Sequence, residues 1–289
     1  MGILGDLVNY FDLHCDALYK CVCENIGFDS DTLTVNSNQL NLFDNYYQCF
    51  AVWTPPQISD KKAFLEKSVS CFKSSFFPFL SDNFKPILTI EGADFLNDDI
   101  TLLELLRDIG VFSVSLTWNE ENAFAGGAHS LAPLKQKGKD LIKLLNQNGI
   151  VLDLSHLNTN SFYGAVEYAD NIIASHSFIY ELCPNNRNLT LEQMRIIKEK
   201  NGLVGLCFYP AFLGSENIFE RIYQAIIFCG ENDLLDIVSI GSDFDGAEMP
   251  FVLNDIPDLF SYLLLKGIDS KTLEAVFFNN AFRYFKSLK

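Results

Sequence analysis

Short combinations of histidine and carboxylate side chains are the residues of this sequence that could carry out chemistry. The most informative is Asp-Leu-His-Cys-Asp at 12–16, which follows an apolar run typical of a buried strand. Because side chains alternate between the two faces of a strand, His14 and Asp16 should point one way and Cys15 the other. An imidazole and a carboxylate placed in this way can hold one divalent cation. Taken alone, such a pair is more often explained by a surface turn.

Histidines and acidic residues also stand at the ends of later strand-like runs. Together with the first pair they form the set His14, Asp16, Glu91, His156, His176, Asp243 and Asp245. For any one of these residues, a satisfied polar group in a loop would be the simpler explanation. Convergence of three histidines and several acids on one edge of a fold is improbable by coincidence, so we interpret them as one site. The fourth histidine, His129, is interpreted as a loop residue.

The types of these residues indicate which metal and which chemistry they suit. Nitrogen and carboxylate ligands without a thiolate suit zinc or another borderline divalent ion. Three histidines and two or three carboxylates are too many ligands for one zinc that keeps an open position. Two metals that share a bridging carboxylate accommodate them, and such pairs sit roughly 3.5–4 Å apart. Water held between two metals has its pKa lowered towards neutrality and becomes a hydroxide nucleophile, so the set predicts a hydrolase.

These residues need a scaffold that brings strand ends together, and the sequence alternates short apolar runs with longer amphipathic ones. Strand-like runs occur at 7–13, 47–53, 85–90, 111–117, 149–154, 170–174, 202–208 and 236–241. Helical patterns occur at 60–74, 100–109, 135–148, 160–168, 190–200, 215–230, 254–266 and 270–287. Eight such units predict an α/β fold, a TIM-like (β/α)8 barrel, with a doubly wound open sheet as the alternative. In a barrel, the candidate residues would all lie at the C-terminal mouth.

Composition limits the partners and the setting of the protein. The formal net charge of −16 and the absence of a basic stripe disfavour nucleic acid and anionic membranes. The sequence starts without a basic, apolar signal segment, and it has no apolar run long enough to span a membrane. We therefore expect the eight cysteines to be reduced and mostly buried, and the protein to be cytoplasmic. Without a linker or a repeat, residues 1–289 are predicted to form a single catalytic domain.

Several motifs, in order along nearly the whole chain, resemble the renal (membrane) dipeptidase family of dinuclear zinc peptidases. They are Asp-Leu-His-Cys-Asp at 12–16, Ile-Glu-Gly at 90–92, Ser-Leu-Thr-Trp-Asn-Glu-Glu-Asn at 115–122, Asp-Leu-Ser-His at 153–156, Ser-His-Ser at 175–177, Cys-Pro-Asn-Asn-Arg-Asn at 183–188 and Gly-Ser-Asp-Phe-Asp-Gly at 241–246. The family consists of (β/α)8 barrels. The resemblance implies that His14 and Asp16 bind one zinc, that His156 and His176 bind the other, and that Glu91 bridges the two.

The same resemblance implies how a substrate would be held. Arg187 would pair with the free carboxylate of a dipeptide, a task that suits a planar guanidinium. Asp243 would hold the free ammonium and pass a proton to the leaving amine. Asp12 would orient a ligand, and Asp245 would either join the site or cap a loop.

The sequence departs from the family pattern at one notable position. Trp118 stands where the animal members carry a histidine proposed to stabilise the tetrahedral intermediate, and an indole can donate one hydrogen bond but cannot titrate. Asn185-Asn186 replaces a His-Pro pair before Arg187, which should alter loop shape rather than chemistry. Phe208 and Tyr209 would line the pocket or pack beneath it.

The predicted function is a metallodipeptidase that cleaves the single peptide bond of a dipeptide through a zinc-bridged hydroxide. One alternative is hydrolysis of a lactam or another small amide on the same barrel, although such a neutral substrate would need neither Arg187 nor Asp243. A second alternative is a binding protein with a relic site, against which the presence of all five metal ligands argues. The resemblance also suggests a homodimer.

Overall fold

The apolar runs of the sequence form eight parallel strands that close into a barrel in the computed structural model, which describes residues 8–97, 99–215 and 217–288. Each strand pairs with the next along the chain, and β8 pairs with β1 through Ile240 and Asp12. The strands are β1 Val8–Cys15, β2 Phe43–Trp53, β3 Phe84–Glu91, β4 Ser113–Ser115, β5 Val151–Asp153, β6 Ile172–Ser177, β7 Leu203–Leu206 and β8 Val238–Ile240. The (β/α)8 prediction is confirmed, and the pairing of β8 with β1 excludes an open sheet.

Helices follow most of the strands, and a large apolar core lies between them and the barrel. They are α1 Ala17–Glu24, α2 Lys61–Cys71, α3 Leu102–Asp108, α4 Gln136–Gln147, α5 Thr159–Val166, α6 Leu191–Glu199, α7 Pro210–Leu213, α8 Ile218–Glu231, α9 Ile256–Leu265, α10 Ser270–Glu274 and α11 Asn280–Ser287. Turns of π-helix at Phe72–Phe76 and Ala275–Asn279 extend α2 and join α10 to α11. In the described ranges, no helix combines the length and the apolarity needed to cross a membrane.

Every predicted strand and helix has a counterpart, with ends shifted by a few residues. The helix predicted at 270–287 is divided among α10, a π-turn and α11, and α1 and α7 were not predicted. The first residue of the run predicted at 7–13 lies outside the described residues. The eight cysteines are free thiols, and five of them are buried, as expected for a reduced chain.

The last helix closes the N-terminal end of the barrel. Phe278 of the π-turn and Ala281 and Tyr284 of α11 belong to one apolar cluster with the strand residues Phe11, Leu13, Tyr47, Cys49, Ile87, Val151, Ile173 and Leu203. The hydroxyl of Tyr284 also donates to the carbonyl of Ile172 at 3.0 Å. Because this end is filled, the opposite end, where the strands finish, is the one that can hold a site.

Two strands carry an extra residue close to that open end. In β1, Asp12 and Cys15 pair with Gln48 and Phe50, so three steps along β1 face two steps along β2. In β6, Ala174 and Ser177 pair with Val204 and Leu206 in the same uneven way. An extra residue of this kind kinks a strand and re-aims its side chains. The two irregularities fall at His14 and at His176. Simple alternation of side chains along a regular strand would not have directed both rings towards the same site.

Two glycines make room for the irregular part of β6. A Cβ atom on Gly205 of β7 would lie 1.9 Å from the carbonyl oxygen of Ser175, and one on Gly241, directly after β8, would lie 1.7 Å from it. Backbone atoms cannot move aside as a flexible side chain can. The path of β6 next to His176 therefore requires a residue without a side chain at both positions.

We expect Gly205→Ala and Gly241→Ala to lower the free energy of unfolding by about 1–3 kcal/mol or more, because each methyl group overpacks the barrel. Gly230→Ala in α8 is the matched control. Its Cβ would meet only Leu235 Cδ1, at 3.6 Å, so it should stabilise the helix by roughly 0.5–1 kcal/mol. Urea unfolding of the three variants measures these changes. Equal effects at positions 230 and 241 would contradict the close approach to Ser175.

Candidate active site

A cavity of about 400 Å³ opens at the C-terminal ends of the strands. Four of the five predicted metal ligands line it, and the fifth, His14, is buried directly against them. Each of the five side chains comes from a strand or from the residue or loop that follows it: β1, β3, β5 and β6. The strand-end positions inferred from the sequence therefore meet at one place.

Glu91 lies at the centre of these ligands. One carboxylate oxygen is 2.7 Å from Nε2 of His156 and 3.9 Å from Nε2 of His176. The other is 3.5 Å from Nε2 of His14, which in turn lies 3.4 Å from a carboxylate oxygen of Asp16. We refer to these five residues as the ligand cluster. Each oxygen of Glu91 thus faces a different half of the cluster.

The ligand cluster contains groups of three residues whose polar atoms lie close enough together to hold a metal ion. Potential ligand atoms of Glu91, His156 and His176 lie within 4.8 Å of one another, as do those of His14, Asp16 and Glu91. Nε2 of His14 and Oδ1 of Asp16 are buried and have no hydrogen-bond partner among the described residues. The Nε2 atoms of His156 and His176 approach to 2.8 Å. Buried polar atoms without partners are costly, and a bound cation would satisfy them.

His176 is oriented by a chain of hydrogen bonds that the sequence analysis did not assign. The hydroxyl of Ser175 donates to Oδ2 of Asp153 and lies 2.8 Å from Nδ1 of His176. Because its single proton is given to Asp153, this hydroxyl accepts the Nδ1 proton of His176. Nε2 is thereby left as the ligand atom. Asp153 belongs to the motif Asp-Leu-Ser-His at 153–156, but nothing in the sequence specified its partner.

His156 and His14 are also held by neighbouring groups. Nδ1 of His156 lies 2.8 Å from the side-chain oxygen of Asn119, so its Nε2 faces Glu91. The backbone of His156 has φ 71°, a left-handed conformation that is unusual for a residue other than glycine. Asp12 accepts hydrogen bonds from the backbone amide of His14 and from the amide and hydroxyl of Ser242. Asp12 thus fixes the backbone at His14 relative to Ser242.

Burial and neighbouring charges shift the pKa values of the cluster residues in different directions. Burial favours the neutral form of Glu91, yet His14 and His156 hold the pKa of its carboxyl well below its usual range. Burial likewise opposes charge on His14, but Glu91 and other carboxylates raise the pKa of that imidazole well above its ordinary value. Burial lowers the pKa of His156 to about 4 and that of His176 well below its usual range. Neutral imidazole is the form that binds a metal.

Asp243 lies beside the ligand cluster, in the loop after β8. One of its oxygens is 3.8 Å from Nε2 of His14, and the other is 3.8 Å from the sulfur of Cys207. Burial, reinforced by the nearby carboxylates of Asp16 and Glu91, raises the pKa of Asp243 to about 7. The backbone is left-handed here too, with φ 65°. Strained backbone of this kind is concentrated at functional sites.

Arg187 places a buried guanidinium in the same cavity. Its Nη2 donates to the carbonyl of His176 at 3.1 Å, and the guanidinium lies over the ring of Phe212 at 5.2 Å. Nε is buried without a hydrogen-bond partner among the described residues. Asn185 accepts a hydrogen bond from the backbone N–H of Arg187 and donates one to the carbonyl of Ala211, and it also lines the cavity. Arg187 thus retains donor capacity for an anionic group.

The remaining sequence-predicted residues divide into cavity residues and packing residues. Trp118 and Tyr209 line the cavity. Phe208 does not, because it is fully buried against Phe244 and Phe251. His129 lies in its loop, paired with Glu120 at 3.0 Å, and reaches the cavity mouth. The cavity also includes Tyr19, Trp53 and Phe212, which lie outside the motifs of the sequence, and Asn119, which belongs to the motif at 115–122 but had been given no role.

Asp245 holds two loops together and stays out of the ligand cluster. Its carboxylate accepts the backbone amides of Thr34 and Val35 at 2.9 and 3.0 Å and pairs with Lys20 at 3.0 Å. These contacts tie the loop after β8 to the long connection between β1 and β2. Of the two roles considered for Asp245, its contacts are those of a residue that fixes a loop.

The fold and the ligand cluster define a (β/α)8 barrel of the metal-dependent hydrolase type. A sequence profile of the membrane dipeptidase family (Peptidase family M19) matches residues 77–289. The chain therefore belongs to this family. His14 and Asp16 precede the matched range, and the other three members of the ligand cluster fall inside it.

Individual relatives are similar to this chain over most of its length. An uncharacterised protein from the pqqA 5′ region of Klebsiella pneumoniae is 33% identical over 221 residues, which cover 69% of this chain and 80% of that protein. Dipeptidase tcpJ of Claviceps purpurea is 25% identical over 225 residues, covering 73% of this chain but only about half, 52%, of its own length.

Solved structures share the fold. A metallopeptidase of Rhodobacter sphaeroides, crystallised with a phosphinate mimic of the dipeptide L-Ala-D-Ala, superposes with a TM-score of 0.81 at 22% identity, covering 98% of this chain and 100% of that one. A dipeptidase of family M19 superposes with a TM-score of 0.83 at 22% identity, covering 97% of this chain and 98% of that one.

Ser175→Ala should weaken divalent-metal binding at His176 by about 10–100-fold, because the ring loses the group that fixes its orientation. Ser239→Ala is the matched control, since the Ser239 hydroxyl is buried but has no hydrogen-bond partner among the described residues. Titration with a competing chelator measures the affinity. The role of Ser175 would be refuted by equal metal affinity in the two variants.

Proposed function

We propose that this protein is a zinc-dependent dipeptidase, with residues 1–289 acting as one catalytic domain. The observation that carries the proposal is the position of two opposite charges beside the ligand cluster in one cavity: the guanidinium of Arg187 and the carboxylate of Asp243. A dipeptide has a peptide bond with a free ammonium on one side and a free carboxylate on the other. Those groups match the two charges.

The ligand cluster would hold two zinc ions. His14 and Asp16 would bind one, His156 and His176 the other, and Glu91 would contact both with its separate oxygens. Nitrogen and oxygen donors without a thiolate suit zinc. Two zinc ions bound there would polarise the scissile carbonyl and activate the attacking water.

The protein's own charged residues would position the substrate. Arg187 would bind the substrate carboxylate through the guanidinium donors that its contact with His176 leaves free. Asp243 would bind the ammonium and pass a proton to the departing amine. Both side chains are largely buried, with Arg187 only 7% exposed.

This pair of charges favours dipeptides over other amides. A longer peptide would place a neutral amide next to Arg187 or Asp243, where a dipeptide would place a charged terminal group. A neutral lactam or amide would offer an oppositely charged group to neither Arg187 nor Asp243, which would weaken its binding. The separation between the two charged groups therefore acts as the measure of substrate length.

The test of this function is metal analysis of the purified protein combined with dipeptide hydrolysis before and after chelation. We expect about two zinc ions per chain, with activity lost on chelation and restored by zinc. The panel should include Ala-Ala and L-Ala-D-Ala, since the Rhodobacter sphaeroides relative was crystallised with a mimic of the latter. If the protein bound two metals but hydrolysed only lactams or small amides, its substrates would be those compounds and not dipeptides. Failure to take up metal would exclude this mechanism.

Blocked substrates test the two charges separately. Arg187→Ala should lower kcat/KM for Ala-Ala by about 100-fold or more, because a charged, buried hydrogen-bonding partner is lost. The same substitution should have little effect on the residual hydrolysis of Ala-Ala amide, whose carboxylate is already absent. Asp243→Asn should lower hydrolysis of both Ala-Ala and N-acetyl-Ala-Ala, because either substrate loses the proton transfer to its leaving amine. The loss should be larger for Ala-Ala, which also loses the partner of its ammonium.

Leu131→Ala is a suitable control for these measurements, because Leu131 is 90% exposed and lies outside the cavity lining. Its kinetics should equal those of the native chain. If Arg187→Ala lowered hydrolysis of the free dipeptide and of its amide equally, Arg187 would not be the carboxylate-binding residue.

A further inference from the structure

One side of the cavity is aromatic, and the roles of Arg187 and Asp243 do not account for it. Tyr19 of α1, Trp53 at the end of β2 and Trp118 after β4 all line the cavity. Their rings form a row, with 4.9 Å between the centroids of Tyr19 and Trp53 and 5.2 Å between those of Trp53 and Trp118. We refer to these three residues as the aromatic wall.

The aromatic wall reaches the ligand cluster and exposes carbon to the cavity. The centroid of Trp118 lies 6.3 Å from that of His156, so the row of rings ends beside the reacting centre. The indole nitrogen of Trp53 is buried, so the surface that this ring adds to the cavity is apolar. A surface of this kind suits an apolar side chain, with ring-to-ring contacts if that side chain is aromatic.

The order of the strands indicates which part of the substrate meets the wall. Asp243 follows β8, which neighbours β1 in the closed barrel, and β1 neighbours β2. Tyr19 therefore follows the strand next to β8, and Trp53 ends the strand after that one, whereas Trp118 follows β4, across the barrel from β8. Arg187 belongs to the loop after β6 and lies over Phe212 of α7, on a different part of the mouth. The part of the wall formed by Tyr19 and Trp53 is thus closest to the end of the dipeptide that would carry the ammonium.

We propose that the aromatic wall binds the side chain of the N-terminal residue, and that the protein prefers dipeptides with a large apolar residue at that position. The inference rests on the proposed dipeptidase function. A phenylalanine or leucine side chain would cover the wall and remove its apolar surface from water, whereas a glycine or alanine would leave that surface hydrated. This gain in transition-state binding should arise only from the side chain of the N-terminal residue.

The test compares kcat/KM for Phe-Ala, Leu-Ala, Ala-Ala, Ala-Phe and Ala-Leu. In the native protein we expect Phe-Ala and Leu-Ala to exceed Ala-Ala by about tenfold or more, with a smaller effect for Ala-Phe and Ala-Leu. Trp53→Ala should reduce the ratio of Phe-Ala to Ala-Ala by about tenfold. Trp53→Phe, which keeps a ring in the wall, should retain most of that ratio.

Phe77→Ala provides the matched control, because Phe77 is a half-exposed aromatic residue outside this cavity. It should leave the ratio unchanged. Metal content is measured for each variant to show that the ligand cluster is intact. Equal preference for Phe-Ala and Ala-Phe in the native protein would overturn the inference, and so would an unchanged ratio in a metal-loaded Trp53→Ala variant. Absence of all dipeptide hydrolysis would overturn the proposed function itself, a separate outcome.

Discussion

The mouth of this barrel depends on a single buried carboxylate held among imidazole rings. Glu91 faces His156 with one oxygen and His14 with the other, and it is 7% exposed. Burying several ionisable groups together is unfavourable unless their charges and hydrogen-bonding atoms are compensated. Glu91 supplies negative charge to both halves of the cluster, and a cation bound in each half would supply the remaining partners. The ends of β1, β5 and β6 are arranged around this one residue.

Rigid positioning of the cluster comes from residues that lie outside it. Ser175 and Asp153 fix one ring, Asn119 fixes another, and Asp12 holds the backbone of His14. Such groups set tautomer and direction before any ligand arrives. The position of the His156 ring also requires an unfavourable backbone conformation, because His156 is left-handed. Stability gained in the packed barrel offsets that strain.

Much of this could be predicted from the sequence because a strand end is a local feature. The apolar runs located β1 to β8, and the titratable residues that follow them had to meet once the sheet closed. The extra residues in β1 and β6 could not be predicted, because they depend on the register of neighbouring strands. The same is true of Gly205 and Gly241, whose role is visible only against the carbonyl of Ser175. Trp53 belongs to none of the sequence motifs, and its role in the aromatic wall is visible only from its position beside Trp118.

The contacts of Asp12 have a consequence for how the chain acquires its site. Ser242, which donates to Asp12, lies 230 positions later in the chain, and Asp245 reaches back 210 positions to Val35. Contacts of such long sequence separation form late, because closing a long loop costs entropy. The half of the cluster on β3, β5 and β6 can assemble among its own strands. The half that contains His14 depends on the last strand joining the first, so we expect the two halves of the ligand cluster to form at different stages of folding.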